Sequence, residues 1–239
     1  MSAVQPRAAA RETAIEAAVS RDEEAARARL CDTVWQRSPL AIGLYREGIA
    51  LGRALGAIGV TPDTLTYASL ALAAMAGVAA ATGRPVAAAC LVLASGLCDV
   101  LDGVVARATG RATPFGALLD STIDRLADGL PLLGLVVFYA GSGPAVLAPG
   151  AALLASLTVS YVRARAESLG ASLPPLFMRR AERVVMLAGS LLAGAIPLGG
   201  PVPAPLTLVG VALIAVLAAA GAVSALRAAR ALLGAPRRS

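Results

Sequence analysis

Six apolar runs, at residues 64–82, 85–106, 114–140, 146–168, 181–198 and 204–226, follow one another with only short interruptions. A helix needs roughly 20 residues to cross the hydrocarbon of a bilayer, and the runs meet that length, the fifth only just. Inside lipid every backbone amide must find its partner within the fold, so runs of this length read as helices. Composition agrees: 57% of residues are hydrophobic, 15% are charged and the mean hydropathy is +0.74, which reads as an integral membrane protein and not as an unusually apolar soluble helical domain. Aromatics make up 3%, leaving the interfacial belts sparse, while abundant Ala and Gly permit close helix packing.

The connections between the runs alternate in charge. Arg107 and Arg111 lie between the second and third, Arg163 to Arg183 between the fourth and fifth, and more arginines follow the sixth. The other set, around Gly83-Arg84-Pro85, Gly141–Pro144 and Gly199–Pro205, contains only Arg84. The excess of basic residues on one side predicts an even number of spans with both termini cytoplasmic, in a multi-pass protein of the cell membrane. The same clustering argues against a nucleic-acid partner, although the net charge is +6. The chain has no histidine, which excludes His-based catalysis and His-containing zinc sites.

Cys31, Cys90 and Cys98 have no metal-binding or redox spacing, and the latter two are expected to be small buried hydrophobes. No cleavable leader is expected. Residues 1–36 read as a polar cytoplasmic extension, and 39–58, broken by Arg46, Glu47 and Arg53, as a helix lying along the membrane surface. The expected division is therefore an extension at 1–36, a membrane domain at 37–228 and a basic tail at 229–239.

Four carboxylates interrupt this apolar background. Asp99 and Asp102 stand one helical turn apart near the end of the second run, and Asp120 and Asp124 one turn apart near the start of the third. Each costs about 2.5–3.5 kcal/mol near the bilayer centre on insertion scales. The pairs can face each other if the second and third helices pack antiparallel. Four like charges in one small volume call for divalent cations, and oxygen-only ligands suit Mg²⁺ or Mn²⁺, with room for two ions. The competing reading is that the acids neutralise arginines such as Arg107 and Arg125 along a water-filled transport path.

Read as one motif, residues 99–124 give D-V-L-D-G-V-V-A-R, eight residues, then G-A-L-L-D-S-T-I-D. Every fixed position of D-x₂-D-G-x₂-A-R-x₈-G-x₃-D-x₃-D is present, and the chain from about residue 50 to the last apolar run resembles the CDP-alcohol phosphatidyltransferase family. The resemblance implies an all-α, polytopic fold with six transmembrane helices around a cytoplasm-facing polar cavity, assembled as a homodimer. It also implies transfer of a phosphatidyl group from CDP-diacylglycerol to an alcohol with release of CMP. Asp99, Asp102 and Asp120 become implied metal ligands; Asp124 borders the metals and is the implied base. Thr61-Pro62-Asp63-Thr64-Leu65-Thr66 has a purely local reading as a helix start. The resemblance adds a nucleotide-binding role for Asp63 and Thr66, and places Asp102, Gly103, Arg107 and Thr113 around CDP. With no evident protein nucleophile, direct in-line displacement is the expected mechanism.

The acceptor is read from a second region. Ser160-Tyr161-Val162-Arg163-Ala164-Arg165-Ala166-Glu167, followed by Gly170, is similar to the S-Y-x-K-A-R-A-E-x-x-G segment of actinobacterial phosphatidylinositol phosphate synthases. Arg179-Arg180-Ala181-Glu182-Arg183 resembles their E-R-P-E-R. Ser160 can hydrogen-bond a polyol or phosphate, and Arg163 and Arg183 can hold a phosphate-bearing acceptor, implying myo-inositol 1-phosphate. The bland reading is positive-inside topology with pairing to Glu167 or Glu182. Arg163 in place of lysine, Arg179 in place of glutamate and Ala181 in place of proline depart from that pattern and fit a different phosphorylated polyol, such as glycerol 3-phosphate, as the alternative. A membrane transporter is the alternative of another class.

Overall fold

Proline opens four of the helices among the described residues, where its missing N–H removes no helical hydrogen bond and its fixed φ suits the first turn. In the computed structural model, which describes residues 50–174 and 177–234, the helices are α1 (Pro62–Ala81), α2 (Pro85–Ala108), α3 (Pro114–Tyr139), α4 (Leu147–Ser168), α5 (Arg180–Ala193) and α6 (Pro205–Leu233). A single 3₁₀ turn, Gly143–Val146, leads into α4. The polar extension expected at 1–36, Cys31 and the first part of the surface helix lie outside the described residues. So does the end of the basic tail, although α6 itself runs past residue 228 to Leu233. Residues 50–57 are helical and lean on the end of α2, with Gly52 against Val104 and Gly56 against Thr109.

Threonine caps fix two of the helix starts. Thr61 Oγ1 accepts from the Thr64 amide at 3.2 Å, and Thr113 Oγ1 from the Gly116 amide at 3.0 Å. Among the described residues, four elements are long and apolar enough to cross a membrane: α1, α2, α4 with its leading turn, and α6. The other two expected spans differ for local reasons. α3 carries Asp120, Asp124, Arg125 and Asp128 within three turns, and α5 has 14 residues because it stops at Gly194 instead of running on to residue 198.

Packing places α1 at the centre of the acidic half. It lies along both α2 and α3, which touch one another only slightly; α4 packs on α6, and α5 bridges α2 and α6. The second and third helices thus meet directly only over a short stretch, and each packs mainly on α1. Small residues make this possible. A Cβ on Gly134 would lie 2.1 Å from the Gly77 carbonyl oxygen, and one on Gly77 would lie 2.7 Å from that of Leu130. The α1 and α3 backbones therefore meet with no side chain between them.

At the far end of the bundle, fully buried Tyr139 donates its hydroxyl to the Ala204 carbonyl at 2.8 Å, tying α3 to the start of α6. One sequence expectation fails: Cys90 is exposed on the outer face of α2, and Cys98 is half-buried. An apolar thiol on a lipid-facing helix gains nothing by turning inward, so apolar surroundings in sequence did not imply burial within the protein.

Candidate active site

The connections at 59–61 and 109–113 and the described parts of the next, 169–174 and 177–179, lie at the same end of the bundle, so the start of α1, the end of α2, the start of α3, the end of α4 and the start of α5 converge there. Asp99 and the pair from α3, Asp120 and Asp124, bring carboxylate oxygens within 4.8 Å of one another. Like charges this close need a cation among them, and hard oxygen donors without nitrogen or sulfur suit Mg²⁺ or Mn²⁺. Asp102 stands just outside the triad. Its side chain is buried, and its Oδ2 accepts a 2.6 Å hydrogen bond from Thr66 Oγ1 on α1.

A pocket of about 330 Å³ opens beside Asp102 and Asp120. Its wall includes all six residues expected around the nucleotide: Asp63, Thr66, Asp102, Gly103, Arg107 and Thr113. Arg111 adds a second cation at the same wall. Gly103 has a steric role here, because a Cβ at this position would lie 3.2 Å from Nη1 of Arg107, whose guanidinium folds back over it. The pocket thus combines carboxylates with two arginines, next to the triad through the shared residue Asp120.

On the other side of the triad stands α5. Arg180 reaches Asp99, lies 2.8 Å from Asp124 Oδ1 and donates from Nε to Asp128 Oδ1 at 3.3 Å. Arg183 is more deeply buried. It donates to Asp128 Oδ2, to Ser160 Oγ at 3.1 Å and, through Nη1, to the Met178 carbonyl at 2.8 Å. Arg163, nearly one turn beyond Ser160 on α4, lies within electrostatic range of Arg179 and Arg183, opposed by Glu167 and Glu182. Ser160, Arg163 and Arg183 are therefore brought to one place, and a cationic cluster abuts an acidic one.

The arginine that meets the acids is Arg180, not Arg107 or Arg125. Arg107 faces the nucleotide-sized pocket, and Arg125 turns back to the Ser121 carbonyl of its own helix. Sequence reasoning passed over Arg180 and Asp128. A signal existed for Asp128, since it continues the i, i+4 ladder of Asp120 and Asp124 along one face of α3. For Arg180 the only hint was its place within a basic run.

Comparison with known proteins agrees with this geometry. Residues 59–233 match the profile of the CDP-alcohol phosphatidyltransferase family. The archaetidylinositol phosphate synthase of Methanothermobacter thermautotrophicus is 43% identical over 137 residues, covering 57% of this chain and 69% of that protein. A crystal structure of the Mycobacterium tuberculosis phosphatidylinositol phosphate synthase with CDP-DAG bound superposes with a TM-score of 0.71 at 33% identity, over 81% of this chain and 98% of that one. A second structure of that enzyme, in complex with manganese and citrate, gives 0.71 at 32% identity over 80% and 93%. The chain belongs to the CDP-alcohol phosphatidyltransferase family and is a metal-dependent transferase of phospholipid synthesis, with an acidic triad suited to Mg²⁺ or Mn²⁺.

Proposed function

We propose that this transferase moves the phosphatidyl group of CDP-diacylglycerol to myo-inositol 1-phosphate, giving phosphatidylinositol phosphate and CMP. The observation that carries the reading is the contact of Arg180 with the carboxylate triad, with Arg183, Ser160 and Arg163 beside it. Two buried guanidiniums next to a reacting centre suit an acceptor that brings its own phosphate, because arginine offers forked donors matched to phosphate oxygens.

Within this reading Asp63, Thr66, Gly103, Arg107 and Thr113 bind CDP, with Arg107 near its phosphates and Asp102 shared between nucleotide and metal. Asp99, Asp102, Asp120 and Asp124 would hold two Mg²⁺ or Mn²⁺ ions, whose charge when bound stabilises the transferring phosphate and the departing CMP. Asp124 takes the proton from the attacking acceptor hydroxyl as the new phosphorus–oxygen bond forms and the bond to CMP breaks. Ser160, Arg163 and Arg183 bind the acceptor phosphate and so hold that hydroxyl toward Asp124.

The positive-inside distribution of arginines supports a site that opens to the cytoplasm of a multi-pass protein in the cell membrane, with both termini on that side and membrane lipids around the bundle. Assembly as a homodimer belongs to the same reading. The acceptor is tested by supplying purified protein with CDP-diacylglycerol, Mn²⁺ and a panel of alcohols, and measuring CMP. Myo-inositol 1-phosphate is expected to support release; rapid turnover of glycerol 3-phosphate with none of inositol phosphate rejects it.

A further inference from the structure

Asp128 lies one turn beyond Asp124 on α3 and outside the carboxylate triad. Its side chain is 7% exposed, yet it meets two cations at once: Oδ1 accepts from Nε of Arg180, and Oδ2 from Nη2 of Arg183. Those arginines start α5 and are themselves 15% and 8% exposed. Two guanidiniums brought this close and this deep repel each other and lose hydration, so their arrangement needs a shared counter-charge. Among the described residues, Asp128 is the carboxylate paired with both.

The pairing also sets direction. Arg180 directs Nη1 at Asp124, while Arg183 places Nη2 at Ser160 and Nη1 at the Met178 carbonyl. Among the described residues, Asp128 is the one anchor the two side chains share, so its loss removes the contact that fixes them relative to each other. We propose that Asp128 is a positioning residue for phosphate recognition, holding Arg183 in the orientation that receives the acceptor's phosphate and Arg180 beside it at Asp124. The proposal rests on the reading of a phosphorylated acceptor, and Asp128 acts through the arginines without touching the reacting atoms.

Binding measurements on purified, detergent-solubilised protein separate this role from a purely structural one. Calorimetric titration with myo-inositol 1-phosphate, and separately with CDP in the presence of Mn²⁺, is compared for wild type, Asp128→Asn and Asp128→Glu. The Asn variant is expected to bind inositol 1-phosphate about 10- to 100-fold more weakly, the range seen when a partner that orients a binding group is removed, with CDP binding unchanged. Asp128→Glu keeps the charge and displaces it by one methylene, toward a small cavity that borders Asp128. Its phosphate affinity is expected between those of wild type and Asn.

A lower melting temperature with both affinities unchanged would overturn the proposal, as would equal loss of both ligands. If the Asn protein does not fold, the Glu variant decides: weaker phosphate binding with intact CDP binding supports the role, and wild-type affinity overturns it. Failure of wild type to bind inositol 1-phosphate would count against the acceptor alone. The same variants titrated with inorganic phosphate would then decide on Asp128 by the same criteria.

Discussion

Thr66 Oγ1 donates to Asp102 Oδ2 at 2.6 Å, joining the first turn of α1 to the end of α2 at the wall of the nucleotide-sized pocket. Both side chains are 4% exposed, so neither has water to replace the other. Thr66→Val keeps the shape and removes the donor, freeing one buried carboxylate oxygen. The KM for CDP-diacylglycerol is expected to rise about tenfold while that for the acceptor stays in place. Steady-state kinetics with each substrate varied in turn check this, and an unchanged KM for the CDP-lipid would show that the hydrogen bond does not shape the pocket.

Asp124 is assigned proton removal in addition to contact with metal. Asp124→Asn is expected to slow CMP release about 10²- to 10⁴-fold, the range for loss of a general base, while CDP-lipid binding largely persists. Near-normal turnover would reject the assignment.

Asp120 borders both the triad and the nucleotide-sized pocket, so its loss should be felt more widely. Asp120→Ala is expected to shift Mn²⁺ binding, followed by electron paramagnetic resonance of the free ion, to higher concentration and to weaken CDP binding in parallel. A Mn²⁺ titration superimposable on that of wild type would remove Asp120 from the ligand set.

Away from the chemistry, Gly134→Ala tests the packing of α1 on α3. The added carbon would lie 2.1 Å from the Gly77 carbonyl oxygen, a backbone atom that cannot rotate aside. The helices must separate, at a cost of about 1–3 kcal/mol. A lower melting temperature in detergent is expected, and one equal to wild type would show that the two backbones have room to part.

The extent of the helices was legible because apolar runs, prolines and threonine caps are local signals, and their placement within the sequence survives in the fold. Asp99, Asp120 and Asp124 were legible as a cluster for the same reason, since their spacing puts each pair on one helix face. What could not be read was which elements fill the space around them. Arg180 arrives from α5, far along the chain, and its contacts with Asp99, Asp124 and Asp128 are purely tertiary. Likewise, nothing local to the second and third runs says that each packs mainly on α1, because the close approach depends on Gly77 and Gly134 falling at the same depth. Cys90 shows the converse error: the solvent around a membrane helix is itself apolar, so hydrophobicity does not report which face turns inward.

The central claim is metal-dependent transfer to a phosphorylated inositol, and it is tested most directly by product stoichiometry. Purified protein is incubated with CDP-diacylglycerol and isotopically labelled myo-inositol 1-phosphate, with Mn²⁺ or with chelator, and CMP and labelled lipid are quantified in the same reaction. Equal amounts of CMP and labelled phosphatidylinositol phosphate, formed with Mn²⁺ and abolished by chelator, are the expected result. CMP formed without incorporation of the label, or labelled lipid formed undiminished in chelator, would contradict it.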